Sequence, residues 1–572
     1  MRTSIYRSIS CVIVFAAGAA HAADLPVKAA PLPPPVLWTW TGFYVGAHVG
    51  GGSGTTKFDD PFGASIYGDS VRTPKALAGL QAGYNWQAPG SNIVLGVEAD
   101  ASVVDSNGTQ TCLAFSGYFL SANCRVRQDF TGSLTGRVGL AVGNGGHTLL
   151  YAKGGAAFLS DRKDITINPL GDPRVTSLNE TRLGWTVGGG VEHAITPAWS
   201  VKLEYDYADF GRPTIGVPSS FIQAAPPLPL YFTTAATTTR VSQDIHLFKL
   251  GLNYRIDGDA TARWDSVAPA RIAKAAPLAW SPGWTVEVGG RYWYSSGRFQ
   301  KDLGATFNQN QQTTLNSRLT YDSKANSGEL FGRVDSPYDV FVKGFIGGGK
   351  LVNGGELTDE DWLLGGGTVP YSNTLSSVKG DITYGTVDLG YNVLSGPGYK
   401  VGGFVGYNYY RENKSGYGCI QFANPNAGCI PAIPTSVLVI TEDDKWQSLR
   451  VGATAEMMLG YGFKLTGDAA YLPYVSVKGV DNHVLRNLVS PETGHGQGVQ
   501  LEAILSYYVT PNFSIGAGGR YWAMWATKDA YTNFGGAPCP CQPLPMRTER
   551  YGTFLQASYT FNPPPPPVTA KY

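Results

Sequence analysis

The chain reads as all-β: two tandem transmembrane antiparallel β-barrels, the first of eight strands and the second of ten. Three observations lead there. Apolar and polar residues alternate with a period of two over segments of roughly ten residues, the span of a tilted membrane strand and longer than the five or six usual in soluble sheets. The connections between those segments are tight and long by turns. Composition agrees: charged residues make up only 15% of the 572, against about a quarter in ordinary soluble domains, and there are 73 glycines and 12% aromatics. Beyond the N-terminal segment no run approaches the roughly 18 apolar residues of a spanning helix. The net charge of +1 argues against nucleic-acid binding through bulk charge, and 43% hydrophobic residues against disorder.

Residues 1–22 form a secretory signal: Arg2 and Arg7 precede the apolar run Cys11 to Ala20, and Ala20-His21-Ala22 supplies the small-x-small cleavage site, so Ala23 is the expected mature start. Residues 23–37 are a Pro-rich periplasmic segment. Apart from Cys11, the cysteines fall into three close pairs, Cys112 with Cys124, Cys419 with Cys429, and Cys539 with Cys541. Such pairs fit disulfides formed in an oxidising compartment, and no histidine stands near enough for a zinc pattern. The Cys-Pro-Cys pair is the least favourable, since a bridge across one residue is strained.

The first barrel spans 38–256, with strands near 41–51, 75–86, 92–104, 129–142, 147–158, 182–194, 199–210 and 243–256. Phe248, Leu250, Leu252, Tyr254 and Ile256 alternate with Lys249, Gly251, Asn253 and Arg255, which puts the apolar face on lipid. QAPGSN, GNGGH and TP make tight periplasmic turns, whereas 52–74, 105–128, 159–181 and 211–242 make long external loops. Residues 257–283 carry no strand pattern and are a periplasmic linker. The second barrel, 284–561, has strands near 284–296, 315–334, 338–349, 380–393, 399–411, 446–459, 462–475, 498–509, 512–527 and 548–561, and 562–572 is a Pro-rich periplasmic tail. Closure is required because an open sheet edge in lipid leaves its amides and carbonyls unpaired.

An eight-stranded barrel is just wide enough to be filled by side chains, and Arg137, Lys202, Glu204, Asp206 and Arg255 lie on the inward parity, so a charged plug is expected there. WTGFYVGAHVGGG, SLTGRVGLAVG and HLFKLGLNYRI resemble the small OmpA-type or porin-like outer-membrane β-barrel family of Gram-negative bacteria. That resemblance implies an outer-membrane location with loops extracellular, and offers no reaction.

In the second barrel, the long loop after the third strand contains LTDEDW, with Asp359 and Asp361, and the loop after the seventh contains VDNH, with Asp481 and His483. Residues i and i+2 of an extended segment project the same way, so each pair presents two polar groups to one cleft. Paired carboxylates perturb one another's pKa, and an Asp beside a His orients the imidazole as a base for water. Together with FVKGFIGGG, YKVGGFVGYNYYR and SYYVTPNFSIGAGGRYW, these motifs resemble the omptin family of outer-membrane endopeptidases across 284–561. The resemblance implies aspartic-type endopeptidase chemistry, with Asp481 and His483 activating water, Asp359 and Asp361 holding it, and neither a metal nor a covalent intermediate.

The acids that line the first subsite of omptins correspond here to Gly479 and Lys301, which argues against cleavage beside basic residues, with Asp302 as the one available substitute. Tyr407, Arg411 and Lys445 resemble the family's lipopolysaccharide-binding positions, with His495 nearby, so the implied partners are outer-membrane lipid, lipopolysaccharide as a requirement for activity, and a peptide substrate. The competing class is non-enzymatic: a structural, adhesive or porin-family surface protein on an inherited omptin scaffold.

Overall fold

The computed structural model describes residues 38–563 apart from 62–69, 114–121, 168–173, 218, 224–230, 257–282, 305–314, 364–368, 397, 423–427, 534 and 536–540. The signal segment, the Pro-rich segment 23–37, the linker apart from Gly283 and the Pro-rich tail beyond Pro563 therefore lie outside the described residues.

The first barrel consists of β1 (Gly42–Phe58), β2 (Ser70–Gln87), β3 (Ile93–Ser106), β4 (Ala122–Val142), β5 (Thr148–Ile167), β6 (Arg174–Ala194), β7 (Trp199–Asp209) and β8 (Thr237–Arg255). Neighbours pair antiparallel, and β8 returns to β1, with Tyr44 opposite Arg255 and Phe58 opposite Val241, so no edge is left open. The second comprises β9 (Thr285–Gly304), β10 (Leu315–Asp335), β11 (Val340–Leu363), β12 (Val369–Gly396), β13 (Tyr399–Gln421), β14 (Ile433–Gly460), β15 (Phe463–His483), β16 (Leu488–Tyr508), β17 (Phe513–Thr532) and β18 (Met546–Phe561). It closes through β9 and β18, with Val286 opposite Phe561.

The two sheets hold ten and eleven strands, because Gly108–Cys112 and Thr214–Val217 join the first and Gln542–Pro543 the second. These short pieces lie in segments expected to be loops. The main strands also run further than the alternation indicated; β12 and β14 reach 28 residues each. Beyond the lipid both faces of a strand meet polar surroundings, so alternation fades while the hydrogen-bond ladder continues.

Leu80, Leu134, Leu183, Leu330, Ile346 and Leu555 stand exposed on the outer faces, where they meet lipid. The first lumen is filled as expected. Arg137 reaches Glu192 at 2.7 Å, Lys153 reaches Glu204 at 2.8 Å, and Lys249 reaches Asp206 at 2.8 Å, all buried. Arg255, also expected there, instead lies over the Trp38 ring at 4.1 Å near the periplasmic turns. The second lumen carries Arg520 on Glu329 at 2.6 Å beneath an aromatic layer of Trp293, Tyr384 and Trp522, with ring centroids 5.1 to 5.5 Å apart.

The barrels touch along their outer faces. Ala76, Val201 and Leu250 of the first cluster with Ala455, Leu465, Ala469, Val499 and Ala523 of the second. Above this seam Arg318 of β10, fully buried, donates to Thr111 (2.9 Å), Thr109 (3.2 Å) and Asn123 (2.7 Å) of the first barrel's hairpin. The disulfide Cys112–Cys124 staples that hairpin, and Cys419–Cys429 staples the one between β13 and β14. Cys539, of the third expected pair, lies outside the described residues.

Candidate active site

Asp359 and Asp361 sit within β11, not in a loop after it. Leu319 and Ser317 of β10 face them on one side, and Thr374 and Ser372 of β12 on the other. Asp481 likewise lies inside β15, between Glu442 of β14 and Ser490 of β16, and His483 is the strand's last residue. A single turn, Val484–Arg486, follows and is closed by Asn487 in the left-handed region at φ 50°. Holding both pairs on paired strands fixes their direction more firmly than loops would.

Nδ1 of His483 lies 3.2 Å from Oδ1 of Asp481, though at an angle outside that of a formed hydrogen bond. Such pairs are often misaligned before substrate arrives. Burial lowers the imidazole pKa, but the charges of Asp481 and Asp359 outweigh it and leave it raised. Asp481 is opposite in sense: burial would raise it, yet the Lys301 ammonium and His483 bring it down to about 2. Asp359 is pushed up to about 8 by burial and by Asp361, against the pull of His483 and Arg486. Burial raises Asp361 too, against a hydrogen bond from Ser317 and the charge of Arg486. His483 acts electrostatically on both carboxyls of β11. Oδ1 of Asp359 is buried without a hydrogen-bond partner among the described residues.

Behind Asp481 lies a charged nest. Nζ of Lys301, from β9, donates to Asp481 Oδ2 at 2.9 Å, to Glu492 Oε1 at 2.6 Å, and to Glu442 Oε2. Oxygens of these three acids lie within 4.8 Å of one another, a spacing that suits a single cation. Gly479 opens the room for them, since a Cβ there would meet Asp444 Oδ1 at 2.5 Å. Asp302, expected as a substitute acid, points to the opposite face and holds Arg318 at 2.7 Å and Arg547 at 3.1 Å. Neighbouring residues of a strand project oppositely, so Lys301 and Asp302 could not share a pocket.

Two family models match: an outer membrane protein beta-barrel domain over residues 10–255 and the omptin family over residues 341–533. The chain is 31% identical over 194 residues to a 22 kDa outer membrane protein of Rhizobium leguminosarum, covering 33% of this chain and 70% of that protein. It is 29% identical over 267 residues to a 31 kDa outer-membrane immunogenic protein of Brucella melitensis, covering 45% of this chain and 100% of that protein. Among solved structures, the outer membrane protease OmpT of Escherichia coli aligns with a TM-score of 0.40 at 14% identity, over 48% of this chain and 97% of that one. The chain belongs to the outer-membrane β-barrel family and carries an omptin family domain. Its location is the outer membrane of a Gram-negative bacterium.

Within the omptin domain, Tyr407 and Arg411 lie on one outer face of β13, and Lys445 pairs with Arg411 from β14. Both cations already share Asp443, Arg411 at 2.7 Å and Lys445 at 3.8 Å. Tyr407 is exposed beside them, and His495 lies tilted against Tyr474, with ring centroids 5.6 Å apart. Three residues beside these pairs escaped sequence reasoning: Glu442, Glu492 and Arg486. The acids sit in ITEDDK and SPETGH, and only the register of β14 to β16 brings them behind Asp481.

Proposed function

We propose that the second barrel is an aspartic-type endopeptidase working at the extracellular rim. His483, polarised by Asp481, takes a proton from a water that attacks the peptide carbonyl carbon. The tetrahedral intermediate then collapses as His483 returns that proton to the leaving amine and the C–N bond breaks, giving a carboxylate and an amine. Asp361 holds the water. Asp359, largely protonated at neutral pH, donates a hydrogen bond to the oxygen on which negative charge develops. The reaction calls for neither a metal nor a covalent intermediate.

The observation that carries this reading is geometric: Asp359 and Asp361 stand two apart on β11, and Asp481 and His483 two apart on β15 with Nδ1 of His483 3.2 Å from Oδ1 of Asp481, so each pair projects to one side of a paired strand.

Lipopolysaccharide is taken as the activating partner. A lipid phosphate would draw Lys445 from its loose contact with Asp443 while Arg411 keeps its own, and Tyr407 would complete the grip. The test is purified full-length protein with lipopolysaccharide and a mixed peptide library. Cleavage that disappears in His483→Ala and in Asp359→Ala, both still folded, supports the enzyme. No cleavage of any peptide by wild-type protein with bound lipid assigns the barrel to the non-enzymatic class instead.

A further inference from the structure

Lys301 is a lysine with nowhere to go but the nest. It is 2% exposed, and it crosses the lumen from β9 to acids on β14, β15 and β16. An ammonium has three protons to donate, and all three are spent there, on Glu442, Asp481 and Glu492. The acids are not satisfied in return. Oε1 of Glu442 and Oε2 of Glu492 are buried without a hydrogen-bond partner among the described residues. Asp444 adds a fourth carboxylate beside Gly479 and is held by Lys414 at 2.7 Å. The nest thus carries more negative charge than its lysine cancels, and burial with mutual repulsion raises Glu442 strongly and brings Glu492 to about 7.

Three carboxylates this close do not stay ionised together unless a cation sits among them. Their geometry is that of a receptor for an ammonium or guanidinium, and one of them, Asp481, is also the partner of His483. Whatever fills the nest therefore lies next to the reacting centre.

We propose that Lys301 determines what the cleft accepts: its ammonium fills in cis a nest built for a cation, so the site takes an uncharged substrate side chain, and removing Lys301 opens it to a basic one. The substrate statement rests on the peptidase reading; the cation-binding statement does not.

The experiment uses full-length protein in detergent with Lys301→Ala and Lys301→Met, and n-butylammonium as the probe with n-butanol as its neutral counterpart. Lys301→Ala is expected to bind n-butylammonium saturably, at least tenfold more tightly than wild type or Lys301→Met, and none of the three to bind n-butanol. If Lys301→Ala fails to refold, n-butylammonium present during refolding should restore the folded barrel and n-butanol should not. A folded Lys301→Ala that ignores the ammonium, an unfolded one that the ammonium does not rescue, or wild type that binds it equally well overturns the proposal. In the peptide library, wild type is expected to cut beside uncharged residues and Lys301→Ala to gain at least tenfold beside Lys or Arg. Wild-type cleavage beside basic residues would also overturn it. Absence of all cleavage strikes the peptidase reading alone, since the ammonium measurement still decides the nest.

Discussion

Neutralising Asp481 should lower the pKa of His483, and the geometry sets how far. At 3.2 Å, opposite unit charges attract by ~5 kcal/mol at an effective dielectric constant of about 20 and by ~1.3 kcal/mol in bulk water. The His483 side chain is 17% exposed and opens on a cleft, so the working value lies between these limits. At about 1.4 kcal/mol per unit, ~1.5–3 kcal/mol corresponds to a fall of about 1–2 units in Asp481→Asn. The sign follows from the cause: a carboxylate raises the pKa of a neighbouring imidazole, so without it the ring deprotonates at lower pH. Two measurements check this. The acid limb of kcat/KM against pH should move down by that amount, while the plateau falls roughly 10²–10⁴-fold, the usual worth of a positioned general base. Because the plateau could sink below detection, the His483 ring should also be titrated by NMR in histidine-labelled protein, identified by the resonance lost in His483→Ala. A His483 titration in Asp481→Asn within about 0.3 units of wild type would refute the reasoning, whatever the activity.

Asp359→Asn removes a carboxyl that raises His483 only to the extent that it ionises on the approach to pH about 8, so the His483 titration should move down by less than in Asp481→Asn, and kcat should fall with loss of the protonated donor; the pH profile of kcat reads both. Since the residues share one network, the double variant should cost less than the sum of the singles. Arg137→Met, in the first lumen, strips a buried guanidinium from Glu192 and Glu98 and should destabilise that barrel by ~3–5 kcal/mol, seen as loss of folded mobility at lower temperature in cold detergent gels. Arg318→Met should free the Cys112–Cys124 hairpin from β10, and faster protease nicking of that hairpin with both barrels still folded is the expected readout.

The part of the fold that was legible in the sequence is the part in lipid. Phe248 to Ile256 alternates cleanly because one face meets hydrocarbon and the other a packed lumen, and the structure keeps that parity. Gly355 to Asp361 shows no such contrast, since both faces of β11 are above the membrane, and the strand that carries the Asp pair therefore read as a loop. The two pairs themselves were found, because Asp-x-Asp and Asp-x-His are local patterns. The nest was half seen. Gly479 and Lys301 stood out as departures from an acidic pattern with Asp302 as a substitute acid, whereas Glu442 and Glu492 arrive from adjacent strands through register alone.

Lipid gives two apolar barrel walls no hydrophobic reason to meet, so contact between them has to come from close van der Waals fit and from polar contacts at the rim. Both are present. Gly51 and Gly467 face Val499 and Leu203 so closely that an added Cβ would lie 2.9 and 3.2 Å from them, which lets the walls approach. At the rim, Arg318 forms charge-assisted bonds to the stapled hairpin, which are stronger than neutral ones and hold direction. Arg318 belongs to β10, and the alternate residues of the same strand, Ser317 and Leu319, lie opposite Asp361 and Asp359. One strand thus has the first barrel on its outer face and the acidic pair beside its inner one. A displacement of the hairpin that moved β10 would reach Asp361 through its strand pairing with Ser317, and for that reason the first barrel belongs to the mechanical surroundings of the candidate site although it supplies none of the groups proposed to react.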